Sequence, residues 1–204
     1  MEIQNSSIED LDFILDLYKS ATAYQKERFI SHWPEFDREM VINEIVENRQ
    51  WKMIIDGEVV CIWATTFSDP LIWEDKDKDP SVYIHRITTN PKFRGKGLAK
   101  AIKKRVFELS LEKYAGAKIF GITTGQAVMK INYELGYKPV HFSEITDDPE
   151  FWKGCQTCKN YDVLTRTERT MCLCTGMLHD PNEKKQNETK TTRFLSGLFK
   201  KKSK

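Results

Sequence analysis

The segment Asn90-Pro91-Lys92-Phe93-Arg94-Gly95-Lys96-Gly97-Leu98-Ala99 constrains this chain more than any other. Before it, Val82–Thr89 is rich in β-branched and aromatic residues and reads as a strand. After it, Leu98–Tyr114 carries apolar residues at helical spacing. The first turn of a helix presents unpaired N–H groups and the positive end of its dipole, so this junction favours an anion. Gly95 and Gly97 let a bulky diphosphate approach backbone where a Cβ would stand. Arg94 and Lys96 add charge at the mouth, and Lys100, Lys103 and Lys104 follow on the helix, placed to meet a further phosphate.

The flanking pattern sets the fold class. Residues 2–5 read as a strand, and Ser7, followed by Glu9 and Asp10, starts a helix with Leu11, Ile14, Leu15 and Tyr18 on one face. A linker with Trp33-Pro34 leads to a helix over roughly 37–48, with Met40, Val41, Ile45 and Val46 on one face. Trp51–Ile55, the turn Asp56-Gly57 and Glu58–Phe67 form a hairpin, and the polar Ser68–Pro80 an exposed loop. Lys118–Thr124 reads as a strand and Ala127–Leu135 as a helix closed by Gly136. Tyr161–Arg166 and Met171–Leu178 read as a second hairpin, after a cysteine-bearing insertion over 147–160. The alternation predicts an α/β fold: a mixed central sheet flanked by helices, one domain over 1–180, and a basic, disordered tail over 181–204.

Composition narrows the partners. Hydrophobic residues at 40% and charged ones at 30% suit a globular chain. The formal charge of +2 hides an asymmetry: from Asn182 onward there are eight Lys/Arg against two Glu, so the body is acidic. That removes the overall basicity as an argument for nucleic acid. No run approaches the roughly 20 apolar residues of a membrane span, and the N-terminus lacks the pattern of a secretory signal. The expectation is a cytoplasmic protein without stable membrane insertion.

Arg94-Gly95-Lys96-Gly97-Leu98-Ala99 resembles the [Gln/Arg]-x-x-Gly-x-[Gly/Ala] motif of the GNAT superfamily of acetyltransferases. The preceding Ile87-Thr88-Thr89-Asn90-Pro91, the Asp56-Gly57 hairpin and the later Leu135-Gly136-Tyr137 fall in the family's order, so the resemblance covers roughly residues 1–142 and a final strand near 171–178. It implies the GNAT acyltransferase fold, acetyl-CoA as donor, and direct attack of an amine on the thioester. Under it, the strand end Ile87-Thr88-Thr89 lies along the pantetheine arm, with backbone of Ile87 and Thr89 pairing as an added strand does. Amides from Gly95 to Ala99 would hold the pyrophosphate. The acceptor is an amine on a small molecule or a protein. A second outcome is a CoA-binding sensor or scaffold of the same fold without turnover.

The family pattern also implies an acid and a base, and here the chain departs from it. A tyrosine four residues before the glycine of Gly136-Tyr137 would protonate the departing thiolate, but that position is Asn132. Tyr133, one residue on and about 100° around the helix, is the candidate acid. Gly125 stands where an asparagine is frequent, and Ser81 near the place of a catalytic carboxylate. By period-2 alternation Ser81, Tyr83, His85, Ile87 and Thr89 share the substrate face, with Arg86 on the other. His85 is the candidate base, its ordinary pKa suiting proton removal at neutral pH. Glu35, Asp37 and Asp69 are placed to attract a cationic amine, and Trp33, Trp63, Phe67 and Trp73 to wall an acceptor pocket or fill the core.

Four cysteines fall late: Cys155-x-x-Cys158 and Cys172-x-Cys174. Three readings stand open: a structural zinc site of four thiolates with Asn160 in a left-handed turn, thiols packed as small apolar groups, or redox chemistry. The end of the chain, Arg193-Phe194-Leu195 to Lys204, suits a mobile solubilising tail or contact with an anionic surface.

Overall fold

In the computed structural model, residues 2–28, 36–68, 81–146 and 149–183 are described. The expectations placed on Trp33, Glu35, Asp69, Trp73 and the tail from residue 184, and on the side chain of Phe67, lie outside these residues.

Seven strands form one sheet in the order β1-β2-β3-β4-β5-β7-β6. They are β1 (Glu2–Asn5), β2 (Gln50–Ile55), β3 (Glu58–Ser68), β4 (Ser81–Thr89), β5 (Lys118–Thr123), β6 (Lys138–Val140) and β7 (Thr175–His179). Neighbours run antiparallel except β4 and β5, which are parallel and joined through a helix, as parallel strands require. The β2–β3 hairpin turns through Asp56 (φ 51) and Gly57 (φ 80), the two left-handed residues of a type I′ turn.

Helix α1 (Leu11–Arg28) follows a short 3-10 turn whose entry is fixed by the Asp10 carboxylate, which accepts from Ser7 N–H at 2.7 Å and pairs with Lys52 at 2.7 Å. Helix α2 (Arg38–Val46) is N-capped by Asp37, which accepts from Glu39 N–H at 3.3 Å, so this carboxylate is a structural cap. Ile14, Tyr18, Val41 and Ile45 bury one face of the sheet around Ile62. Met40 and Val46, expected on that apolar face, are exposed instead.

The other face is covered by α3 (Leu98–Lys113), whose Ile102, Val106 and Phe107 pack on Val82, Ile84 and Ile119. Helix α4 (Gln126–Glu134) lies on that side too, with Met129 against the same core. Gly136 ends it in the left-handed region at φ 86, as a helix C-terminus favours.

The C-terminal part differs from its sequence reading. Tyr161–Arg166 is not a strand but helix α6, preceded by the short α5 (Pro149–Lys153). Tyr161 and Leu164 share a helical face, three residues apart, and Leu164 is buried with Phe142 and Trp152 in a third, small core. Strand β7 starts at Thr175, so Cys172 and Cys174 precede it in irregular chain. Residues 181–183, expected within the disordered tail, dock on the fold: Lys138 pairs with Glu183, and Asn182 Nδ2 donates to Gly116 O at 3.5 Å.

Candidate active site

The glycine loop leaves a helix N-terminus open. Asn90 anchors it, donating from its backbone to Val60 O at 2.9 Å and from its side chain to Val59 O at 3.0 Å, while its Oδ1 accepts from Lys92 N–H at 3.2 Å. A single 3-10 turn, Pro91–Phe93, leads to Gly95 (φ 77) and Gly97 (φ 72), both in the left-handed region. Gly97 is the N-cap of α3, no side chain caps it, and the first turn holds no acidic residue. Its amides therefore lack the carboxyl or hydroxyl oxygen that ordinarily occupies such a helix end. A Cβ built on Gly95 or Gly97 would meet no atom within 4 Å, so the space in front of the backbone is open. Arg94 Nε donates to Thr89 O at 3.4 Å and its guanidinium lies 5.2 Å from the Tyr24 ring, which braces the charge at the mouth. Lys96 stands over Phe93, 5.3 Å from the ring.

Of the lysines expected along the helix, Lys100 is paired with Glu134 at 2.7 Å and Lys104 lies 3.8 Å from Glu108. Lys103 is not at the surface at all. It is 5% exposed and turned into the sheet, so it cannot meet a phosphate outside the loop. Its place was readable: Ile102, Lys103, Val106, Phe107 and Ser110 form one buried stripe at helical spacing.

Strand β4 opens away from β5. The two pair only through Ser81–Lys118, Val82–Ile119 and Tyr83–Phe120, after which β5 continues with β7 alone among the described residues. From His85 to Thr89 the β5-side edge of β4 thus has no strand paired to it among the described residues, and this opening between β4 and β5 is the candidate cleft. On its β3 side the register slips between Ile62 and Ala64, where Arg86 and Ile87 oppose Trp63. That is a β-bulge, and Arg86 sits in it at φ 55, an uncommon conformation for a side-chain-bearing residue.

The bulge corrects the expected faces. Ile87 packs with the α3-side core beside Ile84, not beside His85. Arg86 instead lies on the same side as His85, its Nε donating to His85 Nδ1 at 2.9 Å. An inserted residue shifts the alternation by one, and every side chain after it changes face. Arg86 is held by the buried Glu44 of α2 and lies 5.1 Å from the rings of both Tyr18 and Phe36. Arg49 adds a cation 3.9 Å from Glu44. Glu44, reached from a separate helix, therefore pins the bulge that splays β4.

His85 stacks on Tyr83 at 4.5 Å, and Tyr83 on Phe120 at 5.0 Å. Burial first, then the charges of Arg86, Arg49 and Lys103, hold the His85 pKa well below its ordinary 6.5. The imidazole is neutral at pH 7, and with Nδ1 accepting from Arg86 its proton belongs on Nε2. It is a weak proton acceptor for a catalytic base.

Tyr133 is 56% exposed on the outer side of α4, whereas Asn132 is buried at 1%. The structure does not bring Tyr133 to the cleft. Its helical neighbour faces inward, with Asn132 Oδ1 lacking a hydrogen-bond partner among the described residues, as does the hydroxyl of the buried Tyr137.

Of the three readings of the cysteines, packing as small apolar groups is the one the surroundings support. Among the described residues no group of three or more His, Cys, Asp or Glu is placed to hold a metal ion. Cys155, Cys172 and Cys174 pack against the Phe142–Trp152–Leu164 core, and Asn160 is not left-handed (φ −101). Burial, reinforced by the neighbouring Cys158 and Cys172, pushes the Cys155 thiol up to about 11. A cavity of ≈ 300 Å³ lined by Trp51, Trp63, Val106 and Lys113 lies toward the far end of α3, so it is not part of the loop site.

Known proteins share this fold. A GNAT-family acetyltransferase from Listeria monocytogenes superposes with a TM-score of 0.59 at 16% identity, over 88% of this chain and 94% of that one. The chain has the fold of the GNAT acetyltransferases. A ribosomal-protein-alanine N-acetyltransferase from Brucella melitensis gives 0.55 at 14% identity, over 88% and 99%. An N-acetylglutamate synthase from Neisseria gonorrhoeae, complexed with coenzyme A and N-acetyl-glutamate, gives 0.58 at 12%, over 88% of this chain and 34% of that chain. In sequence, N-acetylaspartate synthetases are similar over 95 residues: those of Danio rerio and Homo sapiens are each 30% identical, over 46% of this chain and 31% and 29% of theirs. The match thus spans less than a third of those relatives. No family model matches. No helix among the described residues is long and apolar enough to cross a membrane.

Proposed function

We propose that this chain is an acetyl-CoA-dependent N-acetyltransferase, moving the acetyl group to an amine by direct attack. The observation that carries the reading is the junction of an open β4 edge with an uncapped helix N-terminus across two left-handed glycines. The residues present fit the donor: amides from Gly95 to Ala99 with Arg94 and Lys96 would hold its pyrophosphate, and the Ile87-Thr88-Thr89 strand end would pair with its extended arm. Bound there, acetyl-CoA supplies an activated acyl group. The fold relatives that carry coenzyme A support the same reading.

The acceptor we favour is the amino group of an acidic amino acid. Two similar proteins are named for making N-acetylaspartate and N-acetylglutamate. Around His85 the cations Arg86, Arg49 and Lys103 outnumber Glu44 and Glu47, the carboxylates paired with the two arginines, a balance that suits an acceptor carrying carboxylates rather than a polyamine. His85 enters this reading as a neutral imidazole lining the cleft. The test is release of free CoA from acetyl-CoA in the presence of aspartate, glutamate, alanine and spermidine. Turnover with the acidic amino acids is expected. Turnover with spermidine alone would remove the acceptor assignment. Acetyl-CoA binding without any turnover would favour the sensor reading, to which the buried Asn132 and the outward Tyr133 lend support.

A further inference from the structure

Lys103 is a buried cation without a counter-ion. No carboxylate lies within ion-pair reach of it among the described residues, and its Nζ contacts the face of the Tyr137 ring, 5.3 Å from the centroid. The ammonium lies beside Gly121 of β5, where β4 and β5 part. It stands 3.9 Å from where a Cβ on Gly121 would be, and Ile84 O lies 3.7 Å from the same point, one residue past the last β4–β5 pair. Around it are the Tyr137 phenol, whose pKa burial raises, His85 on β4, and His179 on β7 behind Tyr137 at 6.0 Å. Lys100 and Lys104 on its own helix are at the surface, beside Glu134 and Glu108. On α4, Asn132 occupies the inward position, and its Oδ1 has no hydrogen-bond partner among the described residues.

Resting on the acetyl-transfer reading, we infer that Lys103 is the proton donor to the departing thiolate, reaching the sulfur from α3 in place of a tyrosine on α4. As the amine nitrogen forms its bond to the acyl carbon, the carbon–sulfur bond breaks with its electron pair going to sulfur. The Nζ–H proton passes to that sulfur, leaving a neutral amine that regains a proton from the one lost by the acceptor nitrogen through solvent. Burial supports this chemistry by lowering the Lys103 pKa from 10.5 to about 8, close to the range of a thiol. Holding an unpaired lysine in the interior also costs stability, the pattern expected where function keeps a group that folding does not favour.

The test compares the full-length wild type with Lys103→Met and Lys103→Arg. Coenzyme A is bound to each, and its thiol is titrated by ultraviolet absorbance of the thiolate, which requires no acceptor. In the wild type the bound thiol should ionise at least tenfold more readily than free coenzyme A. Lys103→Met should abolish that shift while leaving affinity within about threefold, and Lys103→Arg should keep the shift but lose turnover by about 10²-fold, because guanidinium does not release its proton. The alkaline limb of the kcat profile should vanish in Lys103→Met. A bound thiol that titrates identically in wild type and Lys103→Met overturns the assignment. Failure of the wild type to bind coenzyme A at all overturns the acetyltransferase reading beneath it.

Discussion

Two buried cations lie on opposite faces of the sheet, and they are treated differently. Arg86, on the α1–α2 side, is clamped by Glu44 and stacked against Tyr18 and Phe36. Lys103, on the α3 side, has an aromatic face and, among the described residues, no carboxylate partner. A paired cation holds shape: Arg86 secures a left-handed bulge that keeps β4 away from β5. An unpaired cation keeps its proton labile. Both are buried, so the carboxylate makes the difference: Glu44 stands beside Arg86, whereas burial shifts the lone Lys103 ammonium toward neutrality.

The largest effect should come from breaking the pair. Glu44→Ala leaves Arg86 buried without its counter-charge and should cost about 3–5 kcal/mol in denaturant unfolding. A loss below about 1 kcal/mol would mean that the ion pair does not hold the bulge. Next, Lys103→Met should do the reverse. The folded pKa of about 8 lies below the unfolded 10.5, so below pH 8 the charged lysine opposes folding, and stability rises as pH climbs from about 8 to 10.5. Replacing it should stabilise the protein at pH 7 by up to about 3 kcal/mol and remove that rise. An equal or lower stability at pH 7 would show that Lys103 has a partner in solution.

These two residues also mark where the sequence was legible. The strand–loop–helix unit around Arg94–Ala99 could be read directly, because a helix N-terminus and left-handed glycines are local features. The bulge at Arg86 could not, since it exists only through pairing with β3, and it reversed the expected faces of Arg86 and Ile87. Tyr161–Arg166 was misread because six residues hold too few apolar positions to separate the two periods. Cys172 and Cys174 likewise precede β7 and so do not share the strand face that their Cys-x-Cys spacing suggests. Lys103 was visible in the buried stripe of α3, yet a lysine beside a phosphate loop invites a surface role.

A smaller effect should appear at low pH. The folded His85 pKa is depressed below 6.5, so between that value and 6.5 the unfolded chain binds a proton that the folded chain does not. Stability should be full above pH 6.5 and decline below it, by no more than about 1.4 kcal/mol per pH unit from this group. His85→Gln should flatten that decline; an unchanged slope would locate the titration elsewhere. Smallest of all, Tyr133→Phe should leave turnover within about twofold, since the side chain is exposed on the outer face of α4. A loss of tenfold or more would restore Tyr133 as the acid and displace Lys103.

The most direct test of the donor site is calorimetric titration of acetyl-CoA into the wild type and into a Gly95→Val, Gly97→Val variant. Saturable one-to-one binding is predicted for the wild type and its loss for the variant, whose folding is checked by its far-ultraviolet circular dichroism. Absence of binding to the wild type, or equal affinity in a folded variant, would contradict an acetyl-CoA cradle at this loop.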